Sequence, residues 1–434
     1  MLLEFKISNY KSFINETVFS MIPAPRQTGL DYSIQTERVA TKNYAALSSA
    51  VIYGPNASGK TNLIGAMDTM KAIVLRGNLK NTEPISTPNS ASYLLEMIPN
   101  CNCESRPTNF QIRFIEQKNV IDYSFTALLG SFMEKDYPRR VVKESLYVNE
   151  QLVFERGEKL IVKLSSKIKD FLNPSITSKL QVAIGIAENG LNNDELFLSN
   201  GFKTIFSKEL ASMILNWFDN KFIVIYRSDA IKVMRKFADP KDNAIYVAKT
   251  LTDAAKEFGI TSNALGYKAE GDDIVLYSLF KDQKVAVPAE LFESYGTIRF
   301  INEFPLVIKA LMSGATLVMD EFDASIHPMA LMNIISIFHN DDINKNHAQL
   351  IFNTHNPIFL NASLFRRDEI KFVERDETIN GSVHYALSDF KTSEGIRKGE
   401  DYMTNYFVSR YGAIKDVDFA PLLDEILSRN GGDN

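Results

Sequence analysis

Apolar and polar residues alternate at the start of the chain, where Leu3, Phe5 and Ile7 fall on one face of residues 2–13. This alternation predicts a half-buried strand that leads into a turn. Unbroken apolar runs at residues 50–53 and 317–319 predict short strands buried on both faces, as in parallel sheets. Residues 62–75 repeat apolar positions at helical spacing, so a helix is expected there.

Four further segments predict an antiparallel β layer: residues 108–116, 120–129, 139–144 and 145–154. Helical patterns occur between residues 155 and 290, and no heptad repeat persists there long enough to predict a coiled-coil arm. The expected fold class is α/β, with a mixed sheet core, an antiparallel β layer and a helical insertion. The expected division is an N-terminal lobe at 1–155, a mainly helical insertion at 156–290 and a C-terminal lobe at 291–434.

The segment from Gly54 to Thr61 matches the G-x-x-x-x-G-K-[ST] phosphate loop and lies between a predicted strand and a predicted helix. Glycines let backbone N–H groups close around phosphate oxygens, and the positive end of the following helix faces the same oxygens. Lys60 is then expected to reach the β- and γ-phosphates, and Thr61 to bind Mg²⁺.

Two adjacent carboxylates, Asp320 and Glu321, end the apolar run at 317–319. Buried acids are costly unless a cation or water uses their charge. In a phosphoryl-transfer site, Asp320 could hold Mg²⁺ and Glu321 could orient or deprotonate the attacking water. The alternative, acids that simply face solvent at a strand end, would be preferred if the phosphate loop were absent.

Two other positions carry weaker signals. Ser294 and Gly296 precede a helical pattern at 298–311, where an ordinary helix cap is the default interpretation and an anion-binding helix N-terminus is the alternative. His355 ends the apolar run that starts at residue 349, and a histidine there is either structural or a contact to the γ-phosphate.

Composition narrows the class of protein. Of the 434 residues, 45% are hydrophobic and 23% charged, and the net charge is −5, so no global basic field draws the chain to nucleic acid. Cys101 and Cys103 are too few and too close for a disulfide or a zinc pair, which favours a reducing cytoplasm. Neither a signal peptide nor a membrane span is expected.

Taken together, the motifs resemble the ABC-type P-loop ATPases of the SMC and RecF superfamily. The chain is most similar to the bacterial family that includes RloA, the AbiL ATPase and AriA of the PARIS anti-phage system. The resemblance rests on residues 5–13, the phosphate loop with Asn62, residues 293–297, residues 320–328, the pair Thr354–His355, and the tail at 409–414.

The resemblance implies roles for particular residues. Lys60, Glu321 and His355 would be catalytic, as phosphate ligand, base and switch histidine, while Thr61 and Asp320 would hold Mg²⁺. The residues implied to bind ATP are Gly54, Pro55, Asn56, Ala57, Ser58, Gly59, Lys60, Thr61, Asn62, Ser294, Gly296 and Asp323. Ser294 and Gly296 would contact ATP bound to another subunit, although Tyr295 departs from the usual signature. Glu144 and Gln111 are alternatives for the Q-loop residue.

The function implied is a cytoplasmic, Mg²⁺-dependent ATPase that acts as an oligomeric sensor and scaffold in anti-phage defence. It would work as an ATP-sandwiched dimer or a larger ring, respond to a phage protein and control a separate effector, expected to be a nuclease because too few residues follow His355 for a fused one. A RecF-like DNA repair ATPase is the alternative, with Arg139, Arg140 and Lys143, or Lys232, Arg235 and Lys236, as basic clusters. A transporter subunit is disfavoured by the long interval between Lys60 and Asp320.

Overall fold

The structure is a computed structural model. It describes residues 1–25, 27–81, 95–103, 105–130, 138–163, 165, 168–176, 179–226, 245–247, 253–254, 256–257, 264–270, 273–280, 285–324, 326–391, 399–415 and 417–430.

The strands are β1 (Leu2–Ser8), β2 (Thr17–Ser20), β3 (Ile34–Val39), β4 (Lys42–Leu47), β5 (Ser49–Tyr53), β6 (Thr108–Glu116), β7 (Asn119–Leu128), β8 (Arg140–Val148), β9 (Gln151–Arg156), β10 (Leu160–Val162), β11 (Phe222–Ile225), β12 (Ile245–Val247), β13 (Ala264–Glu270), β14 (Asp273–Phe280), β15 (Val285–Pro288), β16 (Thr316–Met319), β17 (Gln349–Asn353), β18 (Ile370–Asp376) and β19 (Gly381–Ala386). The helices are α1 (Lys60–Arg76), α2 (Leu180–Asn189), α3 (Phe197–Asn200), α4 (Phe202–Ile205), α5 (Lys208–Asn216), α6 (Tyr295–Ser313), α7 (Pro328–Phe338), α8 (Tyr402–Phe407) and α9 (Ala420–Asn430).

A central sheet positions the site. Its strands follow the order β11-β16-β17-β5-β18-β19, and the first five run parallel while β19 pairs antiparallel to β18. Because β5, β16 and β17 are parallel neighbours, the loops that follow them leave from one edge of the sheet. In open α/β sheets, ligands bind outside the carboxyl ends of the strands. The phosphate loop, the acidic pair and His355 all follow these three ends.

Side chains of the central strands alternate between two hydrophobic clusters. Ile52 and Val318 face the cluster that contains α1, while Val51 and Met319 face the cluster that contains α6 and α7. Helices therefore cover the sheet on both faces, and its strands are apolar on both sides as the unbroken hydrophobic runs predicted.

A second sheet forms the antiparallel layer, in the order β10-β9-β8-β7-β6-β1-β2. Its inner face shares the first cluster with α1 and with helices α2 to α5, and the Phe114 and Trp217 rings stack there with centroids 3.7 Å apart. The predicted α/β fold with a mixed sheet core and an antiparallel layer is thus confirmed. Among the described residues, no helix combines the length and apolar character needed to cross a membrane.

The expected helical insertion at 156–290 is more varied than its sequence suggested. Helices α2 to α5 fall within it, but β11 pairs with β16 in the central sheet, and β12 to β15 form a four-stranded antiparallel sheet. Among the described residues of this segment from β11 onward, strands predominate and β13 pairs antiparallel with β14, so the description "mainly helical" does not fit them. The division of the chain into three domains stays a prediction.

Candidate functional site

The phosphate loop connects β5 to α1 and needs glycine at two positions. A Cβ atom at Gly54 would lie 2.0 Å from the carbonyl oxygen of Val373, too close for any side chain. Gly59 has φ +115°, and a Cβ there would lie 2.7 Å from Ser12 Oγ. The hydroxyl of Ser58 is buried and has no hydrogen-bond partner among the described residues. A tight loop with an unsatisfied donor is the kind of cradle that a phosphate group fills.

The side chain of Lys60 folds back over the start of the phosphate loop. Its Nζ atom donates to the carbonyl oxygens of Gly54 at 2.8 Å and Pro55 at 3.0 Å. Burial lowers the pKa of Lys60 to about 8, although the charges of Asp320 and Glu321 oppose that shift. Lys60 is therefore still mostly protonated at pH 7, with its positive charge held at the loop.

The two residues predicted to bind Mg²⁺ lie together. Thr61 Oγ1 donates to Asp320 Oδ1 at 3.1 Å, so the start of α1 and the end of β16 meet through oxygen ligands. Asn353, at the end of β17, donates from Nδ2 to the same Asp320 oxygen at 2.6 Å. A hydroxyl and a carboxylate suit Mg²⁺, which is usually held by one or two carboxylates together with substrate phosphates.

Glu321 has an unusual backbone and an exposed side chain. Its φ is +52°, a left-handed conformation that is uncommon outside glycine. Its N–H donates to Asn353 Oδ1, and its carbonyl oxygen accepts from Arg299 Nη2 at 2.5 Å. The backbone is thus fixed on both sides while the carboxylate remains open to solvent. That combination suits a group that must meet water or a second molecule.

Asp323 lies two residues further along the same turn. Thr354 Oγ1 donates to Asp323 Oδ2 at 2.6 Å, which links the turn after β16 to the end of β17. Burial raises the pKa of Asp323, and the hydrogen bond from Thr354 opposes that shift. The predicted D-loop acid therefore lies between the acidic pair and the segment that carries His355.

His355 is exposed at the end of β17. Partial burial of its ring lowers its pKa, the positive charge of Lys60 lowers it further, and Glu321 acts in the opposite direction. His355 is consequently neutral at pH 7 and lies within the electrostatic reach of the two residues with which it was predicted to act. Its role at the γ-phosphate stays a prediction.

Ser294 and Gly296 lie at the start of α6. Ser294 Oγ accepts from the Thr297 N–H at 3.2 Å and caps the helix. In the described part of the chain, no hydrogen bond joins Ser294 or Gly296 to the phosphate loop of the same subunit. Tyr295 is 59% exposed, so this helix end opens to solvent rather than to the chain's own loop. The geometry permits a contact with another molecule.

Asn62, predicted to bind nucleotide, has its amide engaged elsewhere. Asn62 Nδ2 donates to Ser12 Oγ at 2.9 Å, and the Ser382 N–H donates to the carbonyl oxygen of Ser12 at 2.7 Å. The turn after β1 therefore braces the phosphate loop from outside.

Neither alternative for the Q-loop residue lies in the site. Glu144 is fully buried and accepts the N–H groups of Phe197 and Leu198 at the start of α3. Gln111 donates from Nε2 to Asp122 Oδ1 at 2.8 Å within the antiparallel layer. Both side chains are engaged in hydrogen bonds of that layer rather than with residues of the phosphate loop.

Of the two basic clusters considered for DNA binding, only the first lies within the described residues. Lys143 Nζ lies 3.2 Å from Glu155, so part of the positive charge beside Arg140 is paired. Arg139 donates from Nε to the carbonyl oxygen of Leu129 at 3.0 Å. The second cluster, Lys232, Arg235 and Lys236, lies outside the described residues.

Asn353 and Arg299 belong to the site, although the sequence analysis did not identify them. Asn353 is a polar residue at the end of a buried strand, two residues before His355, which is a signal of the same kind as Asp320. Arg299 is a charged residue among Ile298, Phe300 and Ile301 with an acid four residues later, a pattern that predicts a buried ion pair on the helix.

Residues 49–361 match a family model described as "AAA domain, putative AbiEii toxin, Type IV TA system". The chain is also similar to solved SMC head structures. One, described as the SmcHead bound to the C-winged helix domain of ScpA, has 11% identity, covers 89% of this chain and 99% of its own, and has a TM-score of 0.37. The SMC head domain from Thermotoga maritima has 12% identity, coverage of 89% and 98%, and a TM-score of 0.34. A Pyrococcus furiosus Smc head bound to the C-terminal domain of ScpA has 12% identity, coverage of 89% and 97%, and a TM-score of 0.37. No curated protein matches the chain in sequence.

Proposed function

This chain belongs to the family described as AAA domain, putative AbiEii toxin, Type IV TA system, and from that premise we propose that it is an ATPase that hydrolyses ATP to ADP and phosphate with Mg²⁺. The observation that carries the proposal is the pairing of Thr61 Oγ1 with Asp320 Oδ1 at 3.1 Å, beside the phosphate loop and next to Glu321. A metal-binding hydroxyl, a metal-binding acid and a candidate base from distant parts of the sequence converge at one sheet edge.

The residues present fit both groups. The closed loop around Gly54 and the unpartnered Ser58 hydroxyl suit phosphate oxygens, while Thr61 and Asp320 are the ligands that Mg²⁺ would take. Bound there, Mg²⁺ would neutralise charge on the phosphate oxygens.

Each remaining residue would have a separate task. Lys60 would release the carbonyl oxygens of Gly54 and Pro55 and direct its ammonium group to the β- and γ-phosphates. Glu321 would orient the attacking water and accept its proton, because its carboxylate is exposed while its backbone is fixed. His355, neutral at pH 7, could donate one ring N–H to the γ-phosphate and accept at the other nitrogen.

We further propose that the working form is a homo-oligomer. An isolated subunit leaves the site open, since Glu321 and the capped end of α6 at Ser294 both face solvent. The end of α6 in a second copy would add N–H donors to the γ-phosphate and exclude water. Two-fold pairing would complete both sites at once, and larger rings can be assembled from such pairs.

ATP hydrolysis by the purified chain tests the proposal. Lys60→Ala should bind nucleotide weakly, whereas Glu321→Gln should bind it and hydrolyse at least about a hundredfold more slowly, because only the proton acceptor is lost. Glu158→Gln, at an exposed glutamate outside the site, is the matched control and should retain wild-type turnover. Equal turnover by Glu321→Gln and the wild-type chain would refute the assignment of the base.

Sedimentation of Glu321→Gln tests the oligomer. With ATP and Mg²⁺ the variant should sediment as a dimer or larger assembly, and with EDTA it should not, because nucleotide held between two copies joins them. The same sedimentation under both conditions would contradict ATP-dependent assembly.

We propose, finally, that the ATPase serves in bacterial anti-phage defence by holding or releasing a separate toxic effector, with a nuclease as the expected partner and a phage protein as the trigger. Membership of a family whose description names a toxin supports a link to toxin control. When tagged Glu321→Gln is purified from its native cells, one nuclease-like protein encoded by a neighbouring gene should be purified with it. No such protein should be purified with tagged Lys60→Ala. Recovery of DNA and replication proteins instead would favour the repair alternative.

A further inference from the structure

Arg299 connects two parts of the molecule that the sequence treats separately. It lies in α6, five residues after Ser294, and its side chain is buried. Arg299 Nη2 donates to the carbonyl oxygen of Glu321 at 2.5 Å. The helix that presents Ser294 to solvent is therefore hydrogen-bonded to the backbone of the candidate base in the same subunit.

The Glu321 peptide is held from both sides. On one side its N–H donates to Asn353 Oδ1, and on the other its carbonyl oxygen accepts from Arg299. This backbone has φ +52°, a conformation that persists in a non-glycine residue only when its surroundings impose it. Loss of the Arg299 contact removes one of the two restraints, and the direction of the Glu321 carboxylate depends on both.

Glu303 fixes the guanidinium in place. Arg299 Nε donates to Glu303 Oε1 at 2.9 Å, four residues along the same helix, and both side chains are buried. The second oxygen of Glu303 has no hydrogen-bond partner among the described residues. A planar guanidinium held at one edge by a carboxyl group can direct its other N–H groups to only a narrow range of positions.

We propose that Arg299 is a positioning residue that couples the Ser294 end of α6 to the catalytic glutamate of its own subunit. The inference rests on the proposed function. When the ATP of a second copy engages Ser294, α6 shifts or stiffens, and Arg299 transmits that change to the Glu321 carbonyl. Each subunit therefore activates its own base when its helix end is occupied by the nucleotide of its partner.

This coupling predicts cooperative turnover. Occupation of one site in a pair sets the base in the other, so the rate of hydrolysis should rise more steeply than hyperbolically with ATP concentration. A variant that keeps assembly but loses the Arg299 contact should hydrolyse slowly at both sites and with less cooperativity than the wild type.

Arg299→Lys and Arg299→Gln test the proposal by their steady-state kinetics. We expect kcat to fall by about 10-fold to 100-fold, as for misplacement of a catalytic group, while KM for ATP changes little. The Hill coefficient should fall below that of the wild type, to the value that ATP-dependent assembly alone produces, and ATP-dependent sedimentation should persist. Arg156→Lys, at a mostly buried arginine paired with Glu144 in the antiparallel layer, controls for the loss of a structural guanidinium and should retain wild-type kinetics.

The double variant with Glu321→Gln separates positioning from stability. If Arg299 acts through Glu321, Arg299→Gln should not slow hydrolysis further once the carboxylate is gone. Additive losses in the double variant would overturn the inference, as would wild-type kcat and cooperativity in both Arg299 variants. A wild-type chain that does not hydrolyse ATP would refute the proposed function and this inference together, whereas an active wild type beside unaffected variants would refute this inference alone.

Discussion

Asn353→Asp should make the stability of the chain depend on pH. The side chain of Asn353 is 1% exposed and joins two groups, since it donates to Asp320 Oδ1 at 2.6 Å and accepts the Glu321 N–H. An ionised carboxyl at this position would lie against Asp320, and two carboxylates so close do not both ionise. The variant should therefore fold with one proton shared by the pair.

The expected cost follows from that proton. A protonated carboxyl at position 353 can still donate to Asp320 and accept from Glu321, so the variant should resemble the wild type when the pH is below about 4. An aspartate in the unfolded chain has a pKa of about 3.9, and each pH unit above it adds about 1.4 kcal/mol to the cost of keeping the proton. Relative to the wild type, the free energy of unfolding of the variant should fall by ~1.5 kcal/mol at pH 5 and by ~4 kcal/mol at pH 7. The fall should stop once the pH exceeds the pKa of the shared proton in the folded chain.

Urea unfolding at pH 5, 6 and 7 measures this difference between the variant and the wild type. EDTA is needed throughout, because a divalent cation would neutralise the pair. Asn353→Ala is the control, since its loss of two hydrogen bonds should cost the same at every pH. A difference for Asn353→Asp that stays constant between pH 5 and pH 7 would refute the reasoning and imply that the end of β17 is hydrated.

Three further outcomes are expected. Gly54→Ala should destabilise the chain strongly in thermal unfolding, because its Cβ would lie 2.0 Å from the backbone oxygen of Val373, whereas Gly157→Ala, with no atom within 4 Å, should not. Burial raises the pKa of Glu144 in the folded chain. The stability that its protonated form contributes is therefore lost as the pH rises above the pKa that Glu144 has in the unfolded chain. In urea unfolding, the free energy of unfolding of Glu144→Gln should increase relative to that of the wild type as the pH rises. His355→Ala should change the free energy of unfolding by no more than ~0.5 kcal/mol, because the side chain is exposed, while kcat falls about 100-fold in an ATPase assay.

Features that depend only on contiguous residues could be predicted from the sequence. The phosphate loop needs eight consecutive residues, and its glycines are explained by close approaches at Gly54 and Gly59. The strands β5, β16 and β17 were recognisable because each has an unbroken apolar run at its centre, as expected of strands buried on both faces. Their parallel arrangement then brings Lys60, Asp320 and His355 to the same edge.

Contacts between distant residues could not be predicted in the same way. The hydrogen bonds from Asn353 to Asp320 and from Arg299 to Glu321 depend on strand register and on where a helix packs over the sheet, neither of which is a local property. The hairpin of β13 and β14 was missed for a different reason. β14 is a short run of consecutive apolar residues, a pattern that does not distinguish a strand from a buried helix segment.

The order of the central sheet has a consequence for synthesis on the ribosome. Strand β5 pairs with β17 and β18, which emerge about 300 residues after it, while the strands of the antiparallel layer all lie between Leu2 and Val162. The layer can therefore close early, whereas the apolar β5 and the phosphate loop remain without their neighbours until most of the chain has been made. At a translation rate of about 5–20 residues per second, that interval lasts on the order of 15–60 s. The nascent chain should thus need chaperone protection of β5, and a ribosome stalled before β18 should hold a product unable to bind nucleotide.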